Sequence, residues 1–309
     1  MTQPKVTVVG AGQVGATTAF LLLNKGIADV VMIDVAEGLP QGKALDMMHS
    51  RSVERFAPVV TGSNDYGDTA GSDVVVVTAG LPRKPGMTRD DLLAANGAIV
   101  RSVVGAAVEA SPDAIVICVT NPLDVMTYLG WKVSGLPSGR IFGMGGVLDS
   151  ARFAYAIAEE TGASIDTIDG LAVGAHGDAM VPLPRQSTVD GVPLTDLLSP
   201  ERVEALVQRT VFGGAEVVAL LKTGSAFYAP AASVTAMVEA VLGDTGAILP
   251  SCVHLNGEYG ISDVYLSVPA ALGRQGVRRV VEIELDDAEL AALQASAATV
   301  AETVAALGI

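Results

Sequence analysis

The run Gly10-Ala11-Gly12-Gln13-Val14-Gly15 constrains this chain more than any other stretch. It follows a short apolar run, Lys5–Val9, and opens a helical pattern, Val14–Asn24, so three glycines stand at a strand-to-helix turn. Each meets a separate demand. Gly10 permits the tight turn, Gly12 leaves the backbone open to a ligand, and Gly15 lets the helix pack closely on the strand. The helix N-terminus then offers unpaired N–H groups and the positive end of its dipole, which suits phosphates. A second strand, Val30–Asp34, ends on an acidic residue nineteen positions after Gly15. Asp34 is placed to accept hydrogen bonds from ribose hydroxyls, and its charge repels a 2′-phosphate. Residues Gly10, Ala11, Gly12, Gln13, Val14, Gly15 and Asp34 therefore predict a dinucleotide site that takes NAD over NADP. A flavin dinucleotide uses the same fingerprint and is the competing cofactor.

From Val6 to Asn24 no residue is charged, so hydropathy alone would read a signal sequence or a membrane span here. The three glycines, with Thr7, Gln13, Thr17 and Thr18, argue against both, and only Lys5 precedes the stretch as a cation. No other window of comparable length reads as an unbroken apolar run. The chain is expected to act in the cytoplasm, away from a membrane. A formal charge of −15 over 309 residues makes nucleic acid a poor partner. Two cysteines, Cys118 and Cys252, make neither a disulfide scaffold nor a zinc cluster, and no residue set has metal-ligand spacing.

Strand and helix patterns alternate through the first half. Strands are predicted at Val59–Gly62, Val74–Ala79 and Ile115–Thr120, with helices at Gly38–His49 and Leu92–Ala110. Continuous apolar runs such as Val74–Ala79 suit strands buried on both faces. The pattern predicts an α/β fold whose N-terminal domain, residues 1–144, is a doubly wound parallel sheet of Rossmann type. From residue 145 to 309 the texture becomes α+β. Helices are predicted at Leu148–Thr161, Pro200–Thr223 with a kink at Gly213-Gly214, Ser233–Leu242 and Asp287–Leu307. Strands are predicted at Ile168–Val173, near Gln186–Val189 and at Val264–Pro269. This second part is expected to carry the substrate.

Asp149 and Arg152 stand three apart at a helix start and so share a face. His176 lies in Gly174-Ala175-His176-Gly177-Asp178, a glycine-flanked turn after a strand, where a ligand or another backbone must come close. A histidine held by a buried carboxylate is a tuned acid/base. His49 and His254 lack such company and read as structural. The segment from Gly80 to Asp91, rich in glycine and proline, follows the Val74–Ala79 strand and reads as a hinged, non-helical lid. It carries Arg83, Lys84 and Arg89 where ligands sit on parallel sheets, so an anion is expected there. Thr120-Asn121-Pro122 ends the next strand on the same edge.

These motifs occur in one order: Pro82 through Arg89, Val119 through Asp124, Asp149 with Arg152, Gly174 through Asp178, and Gly257-Glu258-Tyr259-Gly260. As a set they resemble the lactate/malate dehydrogenase family, most closely its bacterial lactate dehydrogenase-like malate branch. The resemblance implies an NAD-dependent oxidoreductase in which His176 exchanges the proton and Asp149 is its partner. It implies that Arg152 holds the substrate's C1 carboxylate, that Arg89 polarises the ketone, and that Asn121 orients the carbonyl. Asn96, Val119, Thr120 and Asn121 fall where the family meets the cofactor. The family carries Arg at position 83 in its malate enzymes and typically Gln in its lactate enzymes. The physics agrees, because a second cation in a closed site calls for a second carboxylate. A charge-assisted bond is worth about 1.5–3 kcal/mol and a stranded buried charge costs more, so discrimination should exceed about a thousandfold. Interconversion of malate and oxaloacetate is therefore expected. A lactate or other 2-hydroxyacid dehydrogenase is the alternative, and an NAD-binding sensor without turnover a more distant one. A homodimer or homotetramer is implied as well.

Overall fold

A computed structural model describes residues 3–82 and 88–308, without the side chain of Arg89. The N-terminal half runs β1 (Lys5–Val9), α1 (Gln13–Asn24), β2 (Asp29–Ile33), α2 (Leu39–Glu54), β3 (Val60–Ser63) and β4 (Val74–Val77). It continues through α3 (Arg89–Ala110), β5 (Ile115–Cys118), α4 (Leu123–Ser134) and β6 (Ile141–Gly143). These six strands pair in parallel in the order β3-β2-β1-β4-β5-β6. The order reverses between β1 and β4, and a crevice opens there at the strands' C-terminal ends, as in other doubly wound sheets. The central strands β4 and β5 are wholly apolar and buried, as parallel strands covered on both faces must be. Helix α1 buries Gly15, Thr18, Ala19, Leu22 and Leu23, a stripe of helical period laid against the sheet.

The second half begins with α5 (Gly146–Thr161), β7 (Ile168–Asp169), β8 (Ala172–Gly174), β9 (Met180–Pro182), β10 (Thr188–Val189) and β11 (Val192–Pro193). It ends with α6 (Leu194–Leu197), α7 (Pro200–Leu221), α8 (Tyr228–Leu242), β12 (Ile248–Asn256), β13 (Ser262–Gly273), β14 (Gly276–Val280) and α9 (Asp287–Ala306). Cys252 of β12 pairs with Gly143 of β6, so antiparallel β12, β13, β8 and β9 extend the parallel sheet. A separate small sheet, β11-β10-β7, lies apart from it.

Several elements differ from the sequence expectation, each for a physical reason. Ile168–Val173 is two strands in two sheets. The chain leaves the small sheet at Gly170, where a Cβ would fall 2.7 Å from the backbone N of Ala154 in α5. Helix α4 was not expected, because Leu123 through Gly130 are all buried and show no polar face to mark the period. Strand β12 carries Pro250 and His254, which obscure its pattern. The segment expected to stay non-helical through Asp91 turns into α3 at Arg89. Thr88 accepts from the Asp91 N–H while the Asp91 carboxylate accepts from the Thr88 N–H, a reciprocal cap. Helix α7 runs unbroken through Gly213-Gly214. Asp90–Ala110 is long and apolar enough by length and composition to cross a membrane, against the expectation that Val6–Asn24 alone would read so. Here it buries Val100, Val104 and Ala107 and packs along α4.

Candidate active site

The glycine turn takes the form its spacing predicts. Gly10 has φ of 104°, a conformation that side chains resist. A Cβ on Gly15 would fall 1.9 Å from the Gly10 carbonyl oxygen, whereas one on Gly12 would meet nothing within 4 Å. Gly15 therefore sets the close packing and Gly12 leaves open space. Helix α1 has no side-chain cap and no acidic residue in its first turn. Its leading N–H groups have no intrahelical acceptor, and Gly12 through Gly15 line an open cavity, which suits a pyrophosphate. The Asp34 carboxylate accepts from the Ala11 N–H at 2.7 Å and the Ala36 N–H at 2.9 Å, which fixes it at the end of β2 beside the turn. Lys43 of α2, which no motif marked, donates to the Ala11 carbonyl at 2.7 Å.

From this turn a cavity of about 750 Å³ extends to His176 and Arg152. Gly12 through Gly15 form one wall, and Val119, Thr120 and Asn121 another. Asn96 is buried and its polar atoms are engaged: it accepts from Leu81 N at 2.8 Å and donates to the carbonyls of Leu81 and Asn121. It braces the entry of the Gly80 segment against the Asn121 loop. Thr120 Oγ1 donates to the Ala79 carbonyl at 2.7 Å and ties the same two segments.

The polar end is built on α5. Asp149, in its first turn, is 2% exposed, and its two oxygens face two partners. Oδ2 lies 2.9 Å from His176 Nδ1, and Oδ1 lies 3.4 Å from Arg152 Nη1. The Nδ1 contact commits that nitrogen to the carboxylate, so Nε2 is the nitrogen left to exchange a proton with a substrate. The His176 side chain is 13% exposed and that of Arg152 18%, and both line the cavity. Burial by itself would push the His176 imidazole down. The charge and hydrogen bond of Asp149, with the charge of Asp124, lift it above the ordinary histidine value despite Arg152. Burial depresses the Arg152 guanidinium, and Asp149 opposes that.

Helix α7 faces this end with Val211, Gly214 and Ala215, and Ser225 and Ala226 follow it along the wall. A Cβ on Gly214 would meet Arg152 Nη1 at 3.5 Å, so the bare helix surface lets the guanidinium lie close. The structure thus brings His176, Arg152, Asn121 and the glycine turn to one cavity, with Asp149 buried against His176 and Arg152. Arg83 and the side chain of Arg89 lie outside the described residues. One buried carboxylate at the site, Asp124, carried no expected role.

Two family models together match nearly the whole chain. The lactate/malate dehydrogenase NAD-binding domain matches residues 4–143, and the alpha/beta C-terminal domain of the same family matches residues 146–306. A malate dehydrogenase of Synechocystis is 54% identical over 96% of this chain and 91% of its own. One of Roseiflexus is 50% identical over 99% of both chains. Among solved structures, a Cryptosporidium parvum malate dehydrogenase superposes with a TM-score of 0.97 at 41% identity, covering 99% of each chain. A lactate dehydrogenase of the same organism, complexed with lactic acid and nicotinamide adenine dinucleotide, reaches 0.96 at 40% identity, covering 100% of this chain and 99% of its own.

Proposed function

The chain belongs to the lactate/malate dehydrogenase family, and on that premise we propose that it interconverts malate and oxaloacetate with NAD. One observation carries the reading: a buried His176–Asp149 pair, with Arg152 beside it, opens into the cavity that begins at the uncapped turn Gly12–Gly15. The bacterial relatives bear the name malate dehydrogenase. The two Cryptosporidium structures fit almost equally well, so fold similarity does not separate malate from lactate. Arg83, the residue type that the family's malate enzymes carry at this position, supports the dicarboxylate, since a second cation would call for a second substrate charge.

The glycine turn and the leading N–H groups of α1 would hold the NAD pyrophosphate, and Asp34 the adenosine ribose. When bound, NAD supplies the hydride acceptor at its nicotinamide ring, and NADH the donor. Arg152 pairs with the substrate C1 carboxylate, and Arg83 with the second one. His176 Nε2 takes the hydroxyl proton of malate as the C2–H bond breaks, while Asp149 steadies the resulting imidazolium. In the reverse direction protonated His176 gives that proton to the oxygen of oxaloacetate, with Arg89 and Asn121 stabilising the charge that develops there.

Assembly as a homodimer or homotetramer belongs to the same reading. Phe212, Val218, Leu220 and Leu221 leave apolar surface exposed on α7, which supports it. Action in the cytoplasm accords with two buried, unpaired cysteines. His176→Asn tests the chemistry. Turnover should fall by about 10²–10⁴, the span of positioned acid/base catalysis. Activity within about tenfold of the parent would remove His176 from the reaction.

A further inference from the structure

Among the described residues, Asp124 is the one buried carboxylate at this site whose charge the proton transfer leaves unused, and it is 4% exposed. It sits in the first turn of α4, three residues after Asn121. Oδ2 accepts the backbone N–H of His176 at 2.9 Å, and Oδ1 accepts the thiol of Cys252 at 3.3 Å. Among the described residues no lysine or arginine forms an ion pair with it, although burying an unpaired carboxylate is costly. A chain needing only a hydrogen-bond acceptor here would be served by a neutral amide. Burial pushes the Asp124 carboxyl up to about 6, against the pull of His176 and the Cys252 thiol, so it still carries charge at neutral pH.

We infer that Asp124 is a positioning residue for the proposed reaction: its carboxylate anchors the His176 loop through the backbone N–H and sets a second negative charge beside the imidazole. The inference rests on the proposed function, since it assigns Asp124 to the proton carrier of that reaction. Asp149 orients the ring from α5, whereas Asp124 fixes the backbone from α4. The same short segment presents Asn121 to the cavity, so one turn of chain sets both groups relative to each other. Among the described residues, the charged and titratable groups around His176 are Asp149 and Arg152 on α5, Asp124 on α4 and Asp178 on its own loop. Behind Asp124 lie Cys252 of β12 and Cys118 of β5, whose thiols burial keeps neutral.

The test is Asp124→Asn in the full chain. Its amide oxygen still accepts from the His176 N–H, and its NH₂ group meets the Cys252 sulfur, a weak acceptor. Only the charge is lost. Oxaloacetate reduction needs protonated His176, so kcat/KM falls as pH rises through the His176 titration. In the variant that high-pH limb should move to lower pH, because a negative neighbour has gone. NADH affinity, read by protein fluorescence, should stay unchanged. Asp124→Ser, which removes the charge and loosens the anchor, should move the limb the same way and lower kcat by about tenfold or more. A folded, NADH-binding Asp124→Asn variant with an unmoved limb would overturn the inference. Failure of both variants to fold would also overturn it, leaving Asp124 a purely structural group. A parent inactive on oxaloacetate would instead defeat the proposed function, before Asp124 is altered.

Discussion

Asp149→Asn isolates the contribution of a carboxylate to the proton carrier. Asp149 is almost fully buried, so solvent neither screens its charge nor replaces its contacts. Its bond to His176 Nδ1 is 2.9 Å, a short charge-assisted contact once the imidazole is protonated, while the Arg152 contact at 3.4 Å is long and weaker. A hydrogen bond to a charged group is worth about 1.5–3 kcal/mol, which corresponds to a loss of about 10- to 160-fold in kcat/KM. The sign of the pH effect follows from the same pair. The Asp149 charge helps raise the His176 imidazole above its ordinary value. Removing it should move the high-pH limb of oxaloacetate reduction, and the low-pH limb of malate oxidation, towards lower pH. The assay is steady-state NADH absorbance across a pH series, run in both directions with parent and variant. A variant within about threefold of the parent at every pH, with both limbs in place, would refute the pairing, since even the weak end of the range predicts more.

Gly15→Ala should abolish NADH binding or folding, because its Cβ would lie 1.9 Å from the Gly10 carbonyl and only backbone can yield there. Thermal unfolding with and without NADH distinguishes the two outcomes, and a variant that binds NADH as the parent does would contradict the packing. Arg83→Gln should erode the preference for oxaloacetate over pyruvate by about tenfold or more, chiefly by weakening oxaloacetate turnover. An unchanged ratio of the two kcat/KM values would take Arg83 out of substrate choice.

Much of this architecture is written in local sequence. The Gly10–Gly15 turn, the apolar parallel strands and Asp34 obey rules that act within a few residues, and each was legible. Asp149 and Arg152 were legible as a helical pair, and His176 as a residue in a glycine-flanked turn. Their 2.9 Å contact joins residues 27 apart in the chain, yet the family resemblance anticipated it. Asp124 was visible only as the end of the motif that starts at Val119, and its role was not legible. Its partners are a backbone N–H 52 residues away and a thiol 128 residues away, and no spacing rule reaches either. Helix α4 escaped because complete burial removes the amphipathic signal that reveals most helices. Strand β12 escaped because Pro250 breaks its pattern while tertiary pairing with β13 sustains it. The start of α3 was different: Thr88 and Asp91, three apart, are a capping signal in plain sight, outweighed by the glycines and prolines before them.

A dehydrogenase that selects a four-carbon dicarboxylate must separate oxaloacetate from pyruvate. The most direct test is NADH oxidation by the purified protein with oxaloacetate and, separately, with pyruvate. Rapid turnover of oxaloacetate is expected, with a kcat/KM for pyruvate lower by about a thousandfold, the combined worth of one charge-assisted bond and one stranded cation. Equal or faster turnover of pyruvate would contradict that selection and leave a lactate-type enzyme on the same fold.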